Sequence, residues 1–285
     1  MPVRLELSYA TTYAYEPGIR RGLTALRIRP RSRPGLIVER SRLAVSEGRA
    51  VRSYVDGWGT QTDLVEALTP HDEARWTVEA TIETVPEDVI ADPSPLEIAM
   101  YRSDSSRVRL DAVAGLVAQL ALDPHSWSSV EMAVQFFPQW FNYRIGATSA
   151  ETTIEDAVNR AEGVCQDFSH VLIAVLRAWG WPARYASGYV YTGSRDGGRI
   201  EAEAMHAWAQ VYRADLGWVG LDPTTGGFAD DTYVPVGFGR DYDDVRPVRG
   251  VVTGPPSRQR HSAALAITLL ESRLLESRPL EGGQQ

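Results

Sequence analysis

The chain holds one cysteine, Cys165, followed at a distance by His206 and then Asp222. Thiol, imidazole and carboxylate together can carry out nucleophilic acyl transfer. The sulfur attacks a carbonyl carbon, the imidazole moves the proton, and the acid orients the imidazole. Taken singly, these residues say little. A lone cysteine is most often a small buried hydrophobe, and a lone histidine close to a tryptophan, here Trp208, is as often structural as functional. What sets the three apart is the local pattern around each.

Cys165 comes two residues after Gly163 and opens a helical pattern. Val164, Phe168, Val171, Leu172, Val175, Leu176 and Trp179 recur at three- and four-residue spacing, and Gly180 and Pro182 end the run. A thiol in the first turn of a helix faces free backbone N–H groups and the positive end of the macrodipole. Both favour the thiolate, the form that attacks carbonyl carbon, and the Cys165 N–H is placed to donate to an oxyanion. Further on, residues 205–213 and 217–225 are rich in β-branched, aromatic and small side chains and flank the turn Ala214-Asp215-Leu216, which predicts an antiparallel pair. With Tyr212 opposite Trp218, Trp208 falls opposite Asp222. His206 is then diagonal to Asp222 on the same face, within reach of its carboxylate. A slip of one residue would put the two on opposite faces.

The segments GVCQDFSH, RAWGWPARYASGY, HAW and GWVGLDPT together resemble the transglutaminase-like superfamily of papain-type cysteine enzymes. YATTYAYEPGI near the start and GFGRDYDDVRPVRGVVTG near the end resemble flanking segments of its bacterial members, so the resemblance covers most of the chain. It implies Cys165 as nucleophile, His206 as general base and then acid, and Asp222 as the group orienting His206. It further implies a thioester intermediate, a peptide or protein substrate, and an amine acceptor where the acyl group is transferred. Hydrolysis of peptide or amide bonds is the expected outcome, with protein-glutamine amine transfer (crosslinking) the alternative. A non-catalytic peptide- or protein-binding module is a third reading, against which the full set of three residues counts. By position, Asn159, six residues before Cys165, is a candidate side-chain amide for the oxyanion hole. The chain departs from the family at Gln210, where members often carry an acid, and at Asp56-Gly57-Trp58-Gly59-Thr60, where they often carry a Gly-Asn pair.

Ordered through the chain, β-like pieces fall at residues 3–15 (broken by Pro17-Gly18), 24–29, 36–45, 49–55, 62–68 and 75–84, and they suggest a β-sandwich-like domain. A Pro- and Asp-rich linker spans 85–95. Helical patterns follow at 94–102, 108–122, 128–141 (capped by Ser128 or Ser129) and 154–160 (capped from 150–153), and a last strand at 261–271. The expected fold is therefore α+β: an N-terminal β domain over residues 1–90, then a papain-like, transglutaminase-like catalytic domain over 91–275, with a tail at 276–285. In the second domain the helical part, with Cys165 at a helix N-terminus, packs on an antiparallel sheet.

Phe136, Phe137, Trp140, Phe141 and Tyr143 read as core against the Cys165 helix, with room for one of them to line the cleft. Arg27, Arg29, Arg31 and Arg33 read as a solvated edge. Asp167 reads as a first-turn dipole contact, His170 as a packing residue, and Glu201 and Glu203 as surface.

A length of 285 residues is enough for one large or two modest domains with a sizeable core. The 29 basic and 37 acidic residues give a net charge of −8, which argues against nucleic-acid binding and against docking on anionic membranes. All of the basic residues are arginine, so no side chain of the protein offers a primary amine. The start lacks the apolar stretch of a signal peptide, and no run reaches the roughly 18 apolar residues of a membrane span. One cysteine allows no intrachain disulfide, and the cytoplasm is the simplest location for it. Asp230, Asp231, Asp241, Asp243 and Asp244 do not follow a calcium-loop spacing and read as solvated or arginine-paired. The histidines show no zinc spacing. No metal and no cofactor are expected, and the oligomeric state is not written in the sequence.

Overall fold

The computed structural model describes residues 2–46, 50–85, 92–148, 152–202 and 204–272. Strands and helices are numbered along the chain. The alternating start forms one long strand, β1 (Val3–Ile19), in which Val3, Leu5, Leu7 and Tyr9 are buried while Glu6 and Ser8 face solvent. The strand runs through Pro17-Gly18, where a break was expected. Its ladder with the neighbouring strand is irregular between Ala14 and Ile19, so Pro17 sits where no backbone donor is needed.

The first sheet has the order β10 (Gly198–Ala202), β16 (Arg258–Ser272), β1, β6 (His71–Thr84) and β3 (Leu36–Val45). The second has β15 (Val248–Thr253), β2 (Arg21–Leu26), β5 (Gln61–Ala67) and β4 (Ala50–Val55). The third has β13 (Gly227–Phe228), β12 (Gly217–Asp222), β11 (His206–Arg213), β9 (Ala183–Val190) and β14 (Tyr233–Gly239). The pairings in these three sheets are antiparallel, while the short β7 (Asn142–Tyr143) runs parallel to β8 (Glu162–Gly163). Leu5, Leu7, Leu26, Val65 and Trp76 share one core with Tyr189 and Val234 of the third sheet.

Strands from beyond residue 240 join the sheets built by the first 90 residues. Strand β16 lies along β1 from Glu16↔Arg258 to Val3↔Ser272, and β15 lies along β2. Both pairings cover open edges of the N-terminal sheets, which would otherwise expose a row of unpaired N–H and C=O groups. Strand β10 pairs with β16. The tail at 276–285 lies outside the described residues.

The helices are α1 (Pro95–Met100), α2 (Ala114–Leu120), α3 (Trp127–Trp140), α4 (Ile154–Arg160), α5 (Cys165–Ala178) and α6 (Tyr242–Val245). Ser94 caps α1 reciprocally with Glu97, and Thr153 caps α4 by accepting from the Asp156 N–H at 3.2 Å. Helix α3 starts one residue earlier than expected and is entered from Ser126, while Ser129 is buried in its core face. Helix α5 is enclosed on all sides, every residue from Asp167 to Arg177 being buried between the helical layer and the third sheet. Its one buried cation, Arg177, is satisfied by backbone oxygens. It donates to Ala183 O at 3.0 and 2.8 Å, to Ser103 O at 2.9 Å and to Arg240 O at 2.7 Å. This ties the far end of α5 to the loops around it and fixes the helix that presents Cys165.

The arginines of residues 27–33 are not a solvated edge. Arg27 pairs with Asp56 at 2.8 Å and Arg29 with Asp63 at 2.5 Å, while Arg31 and Arg33 donate to Gly59 O at 3.0 Å and Val236 O at 2.9 Å. The reason is partner geometry: acids in the loop at 56 and on β5 come within reach of side chains that the sequence spacing alone leaves in solvent.

Candidate active site

Cys165 is the first residue of α5 and is partly buried. The helix start is fixed by Asp167, whose carboxylate accepts from the Val164 N–H at 2.9 Å and from the Thr148 hydroxyl at 2.7 Å. Burial pushes the Asp167 pKa up against those hydrogen bonds. Asp167 thus closes one of the open backbone donors of the first turn, and the Cys165 sulfur is left beside the helix end. The Cys165 carbonyl accepts from the Ser169 hydroxyl at 2.8 Å.

His206 and Asp222 reach the same place from the third sheet. The β11–β12 register is Tyr212↔Trp218 and Ala209↔Leu221, as the hairpin reading required, and it carries His206 diagonally opposite Asp222. His206 Nε2 lies 2.8 Å from Asp222 Oδ2, with the imidazole 22% exposed and the carboxylate fully buried. The other ring nitrogen, Nδ1, is not taken up by Asp222, and the Cys165 side chain lies close enough to act on the imidazole. Burial alone would lower the imidazole pKa. The bond to Asp222, the bond to Cys165 and the charges of both outweigh it and push the pKa up to about 10. Burial likewise opposes charge on Asp222, but the bond to His206 and its charge, then Tyr233 and the Thr224 amide, hold it below the usual carboxylate range.

The Asp222 carboxylate has two further donors that sequence reasoning missed. The Tyr233 hydroxyl donates to Oδ2 at 2.7 Å and the Thr224 N–H to Oδ1 at 2.8 Å. Tyr233 comes from β14, two strands away in sheet order from β11, so no local spacing could reveal it. The Thr224 contact belongs to a turn that folds back on itself, with the Gly226 N–H donating to Asp222 O at 2.9 Å. Gly226 has φ +75°, and a Cβ there would come 3.0 Å from Pro138, so the DPTTG run is a turn signal with a structural purpose.

Among the aromatics, Phe137 and Phe141 are buried in the core with Phe168, as expected of most of the group. Tyr143 is different. It pairs with Gly163 across β7 and β8, stays half exposed, and its hydroxyl faces the Cys165 backbone N–H. Burial first, and then the nearby Cys165 and Asp222 charges, push its pKa up. Trp208 is fully buried and lies roughly parallel to the His206 ring at 6.3 Å, on the face of the sheet that also carries His206 and Asp222.

The remaining candidates lie elsewhere or do other work. Asn159 is exposed on the last turn of α4. His170 is buried on α5, stacks on Tyr185 and accepts from the Tyr242 N–H at 3.1 Å, and burial pulls its pKa down to about 4. Gln210 accepts from Arg184 Nε at 2.8 Å. Asp230 and Asp231 meet Arg195, each at 2.6 Å, Asp243 meets Arg107 at 2.8 Å and Asp244 meets Arg240 at 2.9 Å. Asp241 accepts from the Ser106 hydroxyl at 2.9 Å and the Arg107 N–H at 3.0 Å. Glu201 is exposed on β10, and Glu203 lies outside the described residues. Among the described residues no helix is long and apolar enough to cross a membrane.

Two family models match the chain. A model of the transglutaminase-like superfamily matches residues 116–223, and one of the bacterial transglutaminase-like N-terminal region matches residues 5–83. An uncharacterised Mycobacterium leprae protein is 30% identical over 268 residues, covering 88% of this chain and 94% of its own. A protein-glutamine gamma-glutamyltransferase from Pseudomonas aeruginosa is 30% identical over 81 residues, 27% of this chain and 12% of that enzyme. A Cytophaga hutchinsonii protein, provisionally described as a cysteine protease, has a crystal structure with the same fold. It superposes with a TM-score of 0.75 at 18% identity, over 96% of this chain and 93% of that one.

Proposed function

The chain belongs to the transglutaminase-like superfamily, and on that footing we propose that Cys165, His206 and Asp222 catalyse acyl transfer through a thioester. The observation that carries the reading is the position of one imidazole. His206 is bonded to a buried, fully hydrogen-bonded carboxylate, and the Cys165 side chain at a helix start lies close enough to raise its pKa.

His206 rests as the imidazolium beside the Asp222 charge, and the attacking form of Cys165 is the thiolate, presented at the positive end of α5. The thiolate lone pair forms the S–C bond to an amide carbonyl while the C=O π pair moves onto oxygen. That oxyanion accepts from the Cys165 N–H, and the Tyr143 hydroxyl at the same place supplies a second donor. Collapse re-forms C=O and breaks the C–N bond as His206 Nδ1–H passes its proton to the leaving amine. The neutral imidazole then takes a proton from water, whose oxygen attacks the thioester. The C–S bond breaks, and thiolate and imidazolium are restored.

Hydrolysis of a peptide or amide is the favoured outcome. Cys165 is partly open and Tyr143 beside it is half exposed, which supports access of water to the thioester. Transfer to an amine uses the same steps with the amine in place of water, and the gamma-glutamyltransferase relative supports it as the alternative. A reducing compartment such as the cytoplasm suits a lone catalytic thiol. The test is intact-mass spectrometry after incubation with a peptide-amide library, with and without a primary amine. An acyl adduct on the wild-type chain that is absent from Cys165→Ala is expected, and release to acid exceeding release to the amine marks hydrolysis. Turnover that survives Cys165→Ala would end the reading.

A further inference from the structure

The strands that end the first two sheets differ in how well their free edges are protected. Strand β3 carries Glu39, Arg40 and Arg42 and an irregular register after Val38, β10 carries Arg199 and Glu201, and β15 has Gly250 near its middle. Charges, bulges and glycine all blunt an edge against further pairing. Strand β4 has one charge, Arg52, and no bulge, glycine or proline. It pairs with β5 alone and leaves Val51, Tyr54 and Val55 41%, 47% and 49% exposed.

Which groups of β4 are free follows from its hairpin. The Asp56 N–H donates to Thr60 O at 3.0 Å just beyond the strand, so the bonded pairs with β5 continue at alternate residues, Tyr54↔Thr62 and Arg52↔Leu64. Val51, Ser53 and Val55 therefore turn their N–H and C=O groups outward, and among the described residues no backbone bond reaches them. The side chains alternate too. Val51, Ser53 and Val55 lie on the face of the buried Asp63 and Val65, with the Ser53 hydroxyl held by Asp63 and by Arg29 Nη2 at 3.1 Å. Arg52 and Tyr54 lie on the other face.

This edge is complementary to itself. Turned about a two-fold axis through Ser53, perpendicular to the sheet, it meets a second copy antiparallel, with Ser53 opposite Ser53 and Val51 opposite Val55. In that register the outward N–H and C=O groups of all three residues find counterparts. The exposed valines form two apolar cross-strand pairs, and on the other face Arg52 lies opposite the Tyr54 ring of the second copy. A slip of one residue would set the outward groups against residues bonded to β5.

We propose that the protein self-associates in this way, β4 against β4, joining the second sheets of two copies into one continuous sheet. The contact is short, so the dimer is a weak one that forms at high protein concentration. The assignment does not rest on the acyl-transfer reading and stands or falls without it.

Sedimentation equilibrium of the full chain, from about 1 to about 300 µM, is expected to show a dimer with a dissociation constant on the order of 10–100 µM. V51P removes one outward donor and spares the bonds to β5, while V51K sets a charge against Val55 of the second copy. Each is expected to raise the dissociation constant about tenfold or more, while the melting temperature of the dilute protein stays near that of the parent. V51K/V55E places opposite charges across the axis in this register and is expected to associate at least about fivefold more tightly than V51K. A wild-type chain that stays monomeric at the highest concentration, a dimer undiminished by V51P and V51K, or a V51K/V55E chain no more associated than V51K would each overturn the proposal.

Discussion

Gly163 and Asp167 approach so closely that a Cβ at residue 163 would lie 2.6 Å from Asp167 Oδ2 and 2.7 Å from Asp167 Cβ. Asp167 cannot give way without losing the Val164 N–H and the Thr148 hydroxyl. Gly163→Ala therefore loosens the start of α5, at an expected cost of about 1–3 kcal/mol. Urea denaturation measures the cost, and alkylation of Cys165 by iodoacetamide should slow with it. Wild-type values on both measurements would show that the first turn of α5 tolerates the methyl group.

Asp222→Asn keeps the shape of the side chain and removes its charge. The imidazolium loses its partner and the ring its orientation, so peptide-amide turnover is expected to fall by roughly 10³- to 10⁴-fold, the scale seen for the same change in serine-protease triads. Tyr233→Phe removes one donor to the same carboxylate and leaves the Thr224 amide in place, so a loss of about tenfold is expected. Steady-state kcat/KM of the two variants should rank in that order.

The pH dependence of stability has a definite sign. The His206 pKa is raised from 6.5 to about 10 on folding, so the folded state holds this proton more tightly than the unfolded chain. The stabilisation is complete below about pH 6.5, declines as pH rises, and is gone once pH passes about 10. The difference in melting temperature between wild type and His206→Gln should shrink across that window. Cys165→Ala removes the sulfur bond and its charge, so the imidazole, followed by NMR, should titrate at lower pH than in the wild type. A melting difference independent of pH would contradict the paired imidazolium.

Arg177→Met should be among the most damaging changes away from the thiol. It leaves the carbonyls of Ser103, Ala183 and Arg240 without their donor inside the core. A loss of about 3 kcal/mol or more is expected, read by thermal denaturation. Burial pulls the Arg177 pKa down to about 10, so the folded chain holds this proton less tightly than the unfolded one, and the group's own linkage makes stability rise, not fall, as pH passes that value.

The candidate site was legible to the extent that it is local. The helix opened by Cys165 follows from apolar spacing and a glycine stop, and the diagonal of His206 to Asp222 follows from a hairpin in which a one-residue slip would have exposed Ala209 and buried Gln210. The donors that complete Asp222 were not legible in full, because Tyr233 arrives from another strand. Nor could Tyr143 be told from Phe141: both are aromatics in one run, and only the pairing of Tyr143 with Gly163 brings it to the start of α5. Strand positions in the first 90 residues were readable from alternation and turn residues. Which strands neighbour one another was not, since β16 meets β1 across nearly the whole length of the chain.

That last pairing has a consequence for how the protein is made. Strand β16 lies inside the first sheet, between β10 and β1, not at its rim. While the chain is still leaving the ribosome, β1 can pair with β6 on one side only, and its other edge waits bare for residues synthesised about 240 positions later. The N-terminal half cannot seal itself until residues 258–272 have emerged, and a nascent chain arrested short of residue 258 would expose a long sticky strand to its neighbours.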